Sequence, residues 1–115
     1  MTELDPGTLI TAASVAVALE PLLADQVIAG SPSAGVLVLD ERDGREIGVW
    51  EMTPGTATDT EVDEVFIVLA GSATVRFESP ELSAIELAPG SMVRLTAGMR
   101  TTWIVHETLR KVYVA

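Results

Sequence analysis

From Ala34 to the end of the chain, short apolar runs are separated by turn residues at intervals of roughly 8–12 residues, which is the pattern of a β-sandwich or barrel. The spacing predicts strands over 35–40, 46–52, 64–70, 73–78, 84–87, 92–95, 101–106 and 110–114. Val65-Phe66-Ile67-Val68-Leu69 is apolar at both phases of the strand period, so both of its faces need cover and it reads as a central strand. After Gly71 the alternation is cleaner, with Ala73, Val75 and Phe77 on one face and Thr74 and Arg76 on the other. Asp43-Gly44 between the first two runs predicts a tight hairpin, because glycine accepts the positive φ such a turn demands.

With 115 residues there is room for one core and no second domain. Residues 34–115 are predicted as the barrel, and residues 1–33 as an N-terminal arm with short strands belonging to the same domain. The alanine-rich stretch 10–23 suits a helix or an extended arm. Pro21, Gly30 and Pro32 favour the arm, since proline cannot donate to a central ladder. No internal repeat or low-complexity segment interrupts the pattern.

Seventeen acids against seven bases give a formal net charge of -10, which repels a phosphate backbone or an anionic bilayer; no nucleic-acid or membrane partner is expected. The absence of cysteine excludes disulfides, thiolate metal sites and thiol nucleophiles. The N-terminus carries acids where a secretory signal carries bases, and Glu20 and Pro21 cut the apolar stretch that follows, so a cytoplasmic location is expected. One histidine and no nucleophile elbow argue against Ser/His/Asp catalysis, and neither a P-loop nor a dinucleotide fingerprint is present.

Two turns, Ala70-Gly71-Ser72 and Ala88-Pro89-Gly90-Ser91, with Gly98 eight residues after Gly90, place a glycine at each reversal of a jelly roll. The segments VDEVFIVLAGSATV, LAPGSMVRLTAGMRTTW and HETLRKVYV resemble the cupin superfamily, specifically the small DUF861 group whose domain also occurs in ureidoglycine aminohydrolases. The resemblance covers roughly residues 45–115. It implies an all-β, single-domain cupin double-stranded β-helix, a jelly-roll barrel that is usually dimeric and has a pocket inside.

The first cupin motif has the form G(X)5HXH(X)3–4E(X)6G, and Glu64 followed by Gly71 matches its end. Its two histidine places fall on Ala57 and Asp59, or on Thr58 and Thr60. In the second motif, G(X)5PXG(X)2H(X)3N, Gly90 and Gly98 match, while Thr96, Thr101 and Val105 replace the proline, histidine and asparagine. Cupin metals are held by imidazoles and one carboxylate, so no cofactor is predicted. A weaker alternative draws on the acidic cluster Asp59, Glu61, Asp63 and Glu64, with Mn²⁺ or Mg²⁺ on Asp59, Asp63 and Glu64, since hard cations take oxygen ligands. His106 lies in opposite phase to Thr101 and is expected to face away from the pocket.

Strand phase turns Glu64, Phe66 and Val68 one way, and Thr101, Trp103 and Val105 into the barrel. Glu64 is then a carboxyl in an apolar cavity, a candidate catalytic proton carrier whose pKa burial raises and a nearby Arg94 or Arg100 lowers. Trp50 and Trp103 are candidate walls for a planar ligand, with Phe66, Arg94, Arg100 and Thr101 as further ligand-binding candidates. Arg110 and Lys111 in the closing strand are read as partners for the excess acids. The expected function is a cupin without the usual histidine-based metal centre, holding a small polar organic ligand. One alternative is an aminohydrolase-like or isomerase-like enzyme acting on a small nitrogenous or carboxylated metabolite; another is an interaction module with a filled barrel. A homodimer is expected, because the central strand and the arm need cover.

Overall fold

Two long strands, Glu64–Ser79 and Arg100–Val114, carry the architecture of the computed structural model, which describes residues 4–115. In chain order the strands are β1 (Glu20–Pro21), β2 (Val27–Ala29), β3 (Ser33–Arg42), β4 (Arg45–Met52), β5 (Gly55–Thr60), β6 (Glu64–Ser79), β7 (Leu82–Leu87), β8 (Met92–Leu95) and β9 (Arg100–Val114). β6 and β9 pair antiparallel from Val65 opposite Val114 to Ser79 opposite Arg100. Their register slips repeatedly between Val68 and Ala73, and such bulges bend a strand and increase its twist. On one side of the bend β8 and β4 flank the pair; on the other, β7 and β5 do. The result is one continuous sheet, ordered β1-β3-β4-β9-β5-β2 with β6 to β8 branching from β9, curled into a barrel.

The run 64–70 is central, paired with β8 and β9, but its outer face lacks the cover that its doubly apolar text predicts, since Ile67 is exposed; the Asp43-Gly44 hairpin joins β3 to β4. Three further expectations need correction. Ala70-Gly71-Ser72 is a bend within β6 and not a hairpin, so 64–70 and 73–78 are one strand; 101–106 and 110–114 likewise merge in β9. Gly71 has φ of 88°, and a Cβ there would lie 2.0 Å from the Thr108 carbonyl oxygen; the glycine is needed where the two strands touch at the corner. β5 was not expected, because Gly55-Thr-Ala-Thr-Asp-Thr lacks apolar alternation. It is a strand because β9 pairs its whole length, and only Ala57 is buried.

Alternate residues of the long strands fill the interior. Phe66, Val68, Val75, Leu95 and Leu109 are essentially sealed, with Ala73, Leu87, Trp103 and Val105 packed around them. Burying Phe66 alone stabilises the fold by about 1.5–3 kcal/mol. Among the described residues no buried side-chain nitrogen or oxygen lacks a partner. Among the described residues no helix is long and apolar enough to cross a membrane.

The arm is tied to the barrel. β1 pairs with β3, β2 pairs with β5, and the chain before β1 lies so close to β3 that a Cβ on Gly35 would sit 1.9 Å from the Ala18 carbonyl oxygen. The strongest tie is Arg110 on β9, whose Nε donates to Glu51 Oε1 at 2.8 Å and whose Nη1 donates to the carbonyls of Ala12 at 3.0 Å and Val15 at 2.6 Å. Successive β9 side chains point to opposite faces, so Arg110 faces the arm while Lys111 faces the interior.

Arg110→Ala removes three charge-assisted bonds and leaves Glu51 without its cation, so it is expected to cost about 2–4 kcal/mol in urea unfolding and to speed amide exchange over residues 12–22. Arg110→Lys recovers only part of this, because a point charge does not reach a carboxylate and two carbonyls in one geometry. Unchanged arm protection in Arg110→Ala would contradict the clamp.

Candidate functional site

At one end the barrel is not solid. A cavity of about 460 Å³ lies between β4, β5, β6 and β9, and Leu22 and Gln26 of the arm border it. Both tryptophans line it, together with Met52, Tyr113, Lys111 and the carboxyls of Glu46, Asp59, Glu61 and Glu64.

Its centre is Lys111. Leu109, Lys111 and Tyr113 share the inward phase of β9, and Trp50 stands opposite Lys111 in the β4–β9 ladder. The Lys111 ammonium lies 4.2 Å from the ring centre of Phe66 and 4.8 Å from those of Trp50 and Trp103. Each ring presents the negative face of its quadrupole to a cation within reach. The rings pack on one another, Trp103 being 5.7 Å from Trp50 and 5.8 Å from Phe66. The fourth wall is Glu64, whose carboxylate accepts from Lys111 Nζ at 3.3 and 3.5 Å. Both partners are almost out of water, their side chains 6% and 10% exposed. Loss of hydration pulls the Lys111 pKa below its ordinary value, and Glu64 first, then Glu61, oppose that pull.

A second carboxylate is locked in place beside this pair. Glu61 follows β5, and its backbone is pinned to Met99 and Gly98. Its Oε2 accepts from Thr101 Oγ1 at 2.5 Å and from the Trp103 indole at 3.0 Å. Glu61, Thr101 and Trp103 thus fix one another. On the β4 side Tyr113 donates to Glu46 at 2.6 Å, and burial followed by Glu46 holds its phenol well above the ordinary value. Asp59 stands at the rim, open to solvent on one side. Its carboxyl is pushed up to about 6, chiefly by lost hydration and then by Glu61, against the Thr60 amide and Lys111.

The structure brings Glu64, Trp50, Phe66, Thr101 and Trp103 together, Phe66 as the floor under Lys111 and Thr101 as the anchor of Glu61. It does not bring in Arg94 and Arg100, which are exposed. Arg94 alternates with the inward-facing Val93 and Leu95, so strand phase turns it out. The cation opposite Glu64 is Lys111. Sequence reasoning assigned Lys111 to charge pairing alone, took Glu61 only as one of a cluster of acids, and passed over Glu46 and Tyr113. The available signal was the inward phase that Lys111 and Tyr113 share with Leu109. His106 is exposed and meets Thr74 on the outer face at 2.9 Å.

The donor set does not fit a metal. The histidine places hold residues without imidazoles, Glu64 is turned to Lys111, and Thr101 donates to Glu61. The alternative set of Asp59, Asp63 and Glu64 is not assembled either. Asp63 is exposed and accepts from the Ala97 amide, and among the described residues no three ligating side chains are grouped.

The curled antiparallel barrel with its pocket between these strands has the form expected of a cupin. Residues 39–113 match the EutQ-like cupin domain, and the chain belongs to that family. It is similar to solved structures of EutQ from Clostridium difficile (18% identity, TM-score 0.61, covering 72% of this chain and 61% of that one) and of a DUF861 protein from Pseudomonas syringae pv. tomato (20%, 0.74, 89% and 45%). A DUF1255 protein from Acidithiobacillus ferrooxidans shares 21% identity at a TM-score of 0.60, covering 92% of this chain and 98% of that one. This chain therefore spans about three fifths of the EutQ structure and under half of the DUF861 one. No curated protein matches it significantly.

Asp59 makes the site's charge sensitive to pH. A carboxyl raised from 3.8 to about 6 binds its proton more tightly in the folded state, so its contribution to stability is largest in acid and is lost as pH rises through that window. Asp59→Asn is expected to gain on the native protein in urea midpoint as pH rises from about 4 to about 6. A constant difference across that range would show that Asp59 titrates normally.

Proposed function

We propose that this cupin binds a small polar organic molecule in the barrel without a transition metal. The observation that carries the reading is the cavity of about 460 Å³ with both tryptophans, Lys111 and four carboxyls on its walls. Small-molecule sites are commonly clefts of about 300–1,000 Å³, mostly apolar, with a few placed polar groups, and this cavity has that make-up. Its presence argues against a filled barrel. Trp50 and Trp103 offer flat apolar surface, while Glu61 and Glu64 are held rigidly by their partners, which lowers the cost of ordering them around a ligand. Four carboxyls against one ammonium disfavour an anion, so the ligand is neutral or cationic.

Purified protein is expected to contain no stoichiometric Mn, Fe or Zn by elemental analysis. In a thermal-shift screen, uncharged or cationic metabolites of a few carbons are expected to raise Tm and carboxylates to leave it unchanged, because a ligand of the folded state stabilises it by mass action. Trp50→Ala abolishes the shift if the cavity is the site. Tight stoichiometric metal, or binding that survives Trp50→Ala, would overturn the reading.

A further inference from the structure

The chain has seven basic residues, and six are arginines; Lys111 is its only lysine. That one side chain is 6% exposed, lines the barrel cavity, and has a carboxylate and three aromatic rings around its amine. A permanent ion pair with Glu64 is better served by arginine, which forks onto a carboxylate and stays charged. Lysine differs from arginine in one chemical respect that matters inside a cavity: once it gives up a proton, it is a nucleophile.

We propose that Lys111 is a carbonyl-capturing residue, its amine condensing with a small uncharged aldehyde or ketone in the barrel to form an iminium. This rests on the reading that the cavity admits a small organic molecule, and it names the class. The ammonium passes one proton to Glu64, and the freed nitrogen lone pair adds to the carbonyl carbon. Asp59, whose raised pKa keeps it partly protonated near neutral pH, gives its proton to the carbonyl oxygen and takes one back from the nitrogen, leaving a carbinolamine. Glu64 then returns its proton to the hydroxyl, which leaves as water as the C=N bond forms. Ammonium and carbonyl have become iminium and water, with no change of net charge and no oxidant or reductant. The site suits that outcome, since the iminium keeps the positive charge that Glu64 and the three rings already face. Burial, which lowers the pKa of Lys111, favours the first proton transfer.

The test is reductive trapping on the native protein. With propanal and cyanoborohydride at neutral pH, Lys111 is expected to gain one propyl group, located by peptide mass spectrometry, about tenfold faster than in the urea-unfolded chain. The chain's α-amine is the internal comparison. Glu64→Gln and Asp59→Asn, checked for folding by circular dichroism, are expected to slow labelling of Lys111 and not of the α-amine. Labelling of the α-amine alone, or Lys111 reacting no faster folded than unfolded, overturns the proposal. The Trp103 indole N–H resonance separates the two readings. If propanal shifts it without labelling Lys111, carbonyl capture is wrong and the binding cavity stands; with neither shift nor label, both fall.

Discussion

An ammonium cannot be carried into an apolar barrel uncompensated, because stripping it of water costs several kcal/mol even after the surroundings relax. Lys111 meets that requirement with a carboxylate at 3.3 Å and three aromatic faces, and much of the surrounding arrangement follows from it. Phe66 and Glu64 must share the inward face of β6, Trp50 must stand opposite Lys111 on β4, and Trp103 must reach in from the other half of β9. Trp103 is then oriented by Glu61, which is itself held by Thr101. Side chains from three strands and one loop are thereby committed around a single cation.

The neighbouring residue repeats the solution on the opposite face. Arg110 points out of the barrel but is also buried, because the arm lies over it and supplies two carbonyls beside Glu51. One strand therefore carries consecutive cations to two interiors, one inside the barrel and one beneath the arm. Their side chains suit these places. The guanidinium spans a carboxylate and two carbonyls at once, whereas Lys111 brings a single amine up to Glu64 and the three rings. The arm continues to the barrel mouth, where Leu22 and Gln26 border the cavity, so its clamp and the site share β9.

Most of the barrel was legible as text, because burial on one face of a strand writes itself as alternation: Phe66 and Val68, Ala73 and Val75, and Thr101 with Trp103 and Val105 all lie inward as their phases require. What alternation cannot carry was missed. β5 is held by backbone pairing and has one buried side chain, so its sequence resembles a loop. The glycine at position 71 marks a place of close approach, and a turn glycine looks the same in one dimension. Within the site, Glu64 and both tryptophans were legible and their cation was not. Arg94 and Lys111 are both basic; strand phase turns Arg94 out and Lys111 in, and the pairing of β9 with β4 and β6 then carries Lys111 to Glu64.

The cavity belongs to a barrel in which the carboxylate usually given to a metal in this superfamily is taken by an internal ammonium. That pairing makes Glu64 and Lys111 interdependent, since removing either leaves the other charged and alone in a dry site. A double-mutant cycle in urea with Glu64→Gln, Lys111→Met and the double variant measures this directly. Each single change is predicted to cost about 3–5 kcal/mol, and the double variant is predicted to be no less stable than either. Costs that simply add would show that the two side chains are independent, and the buried pair would not be the centre of this structure.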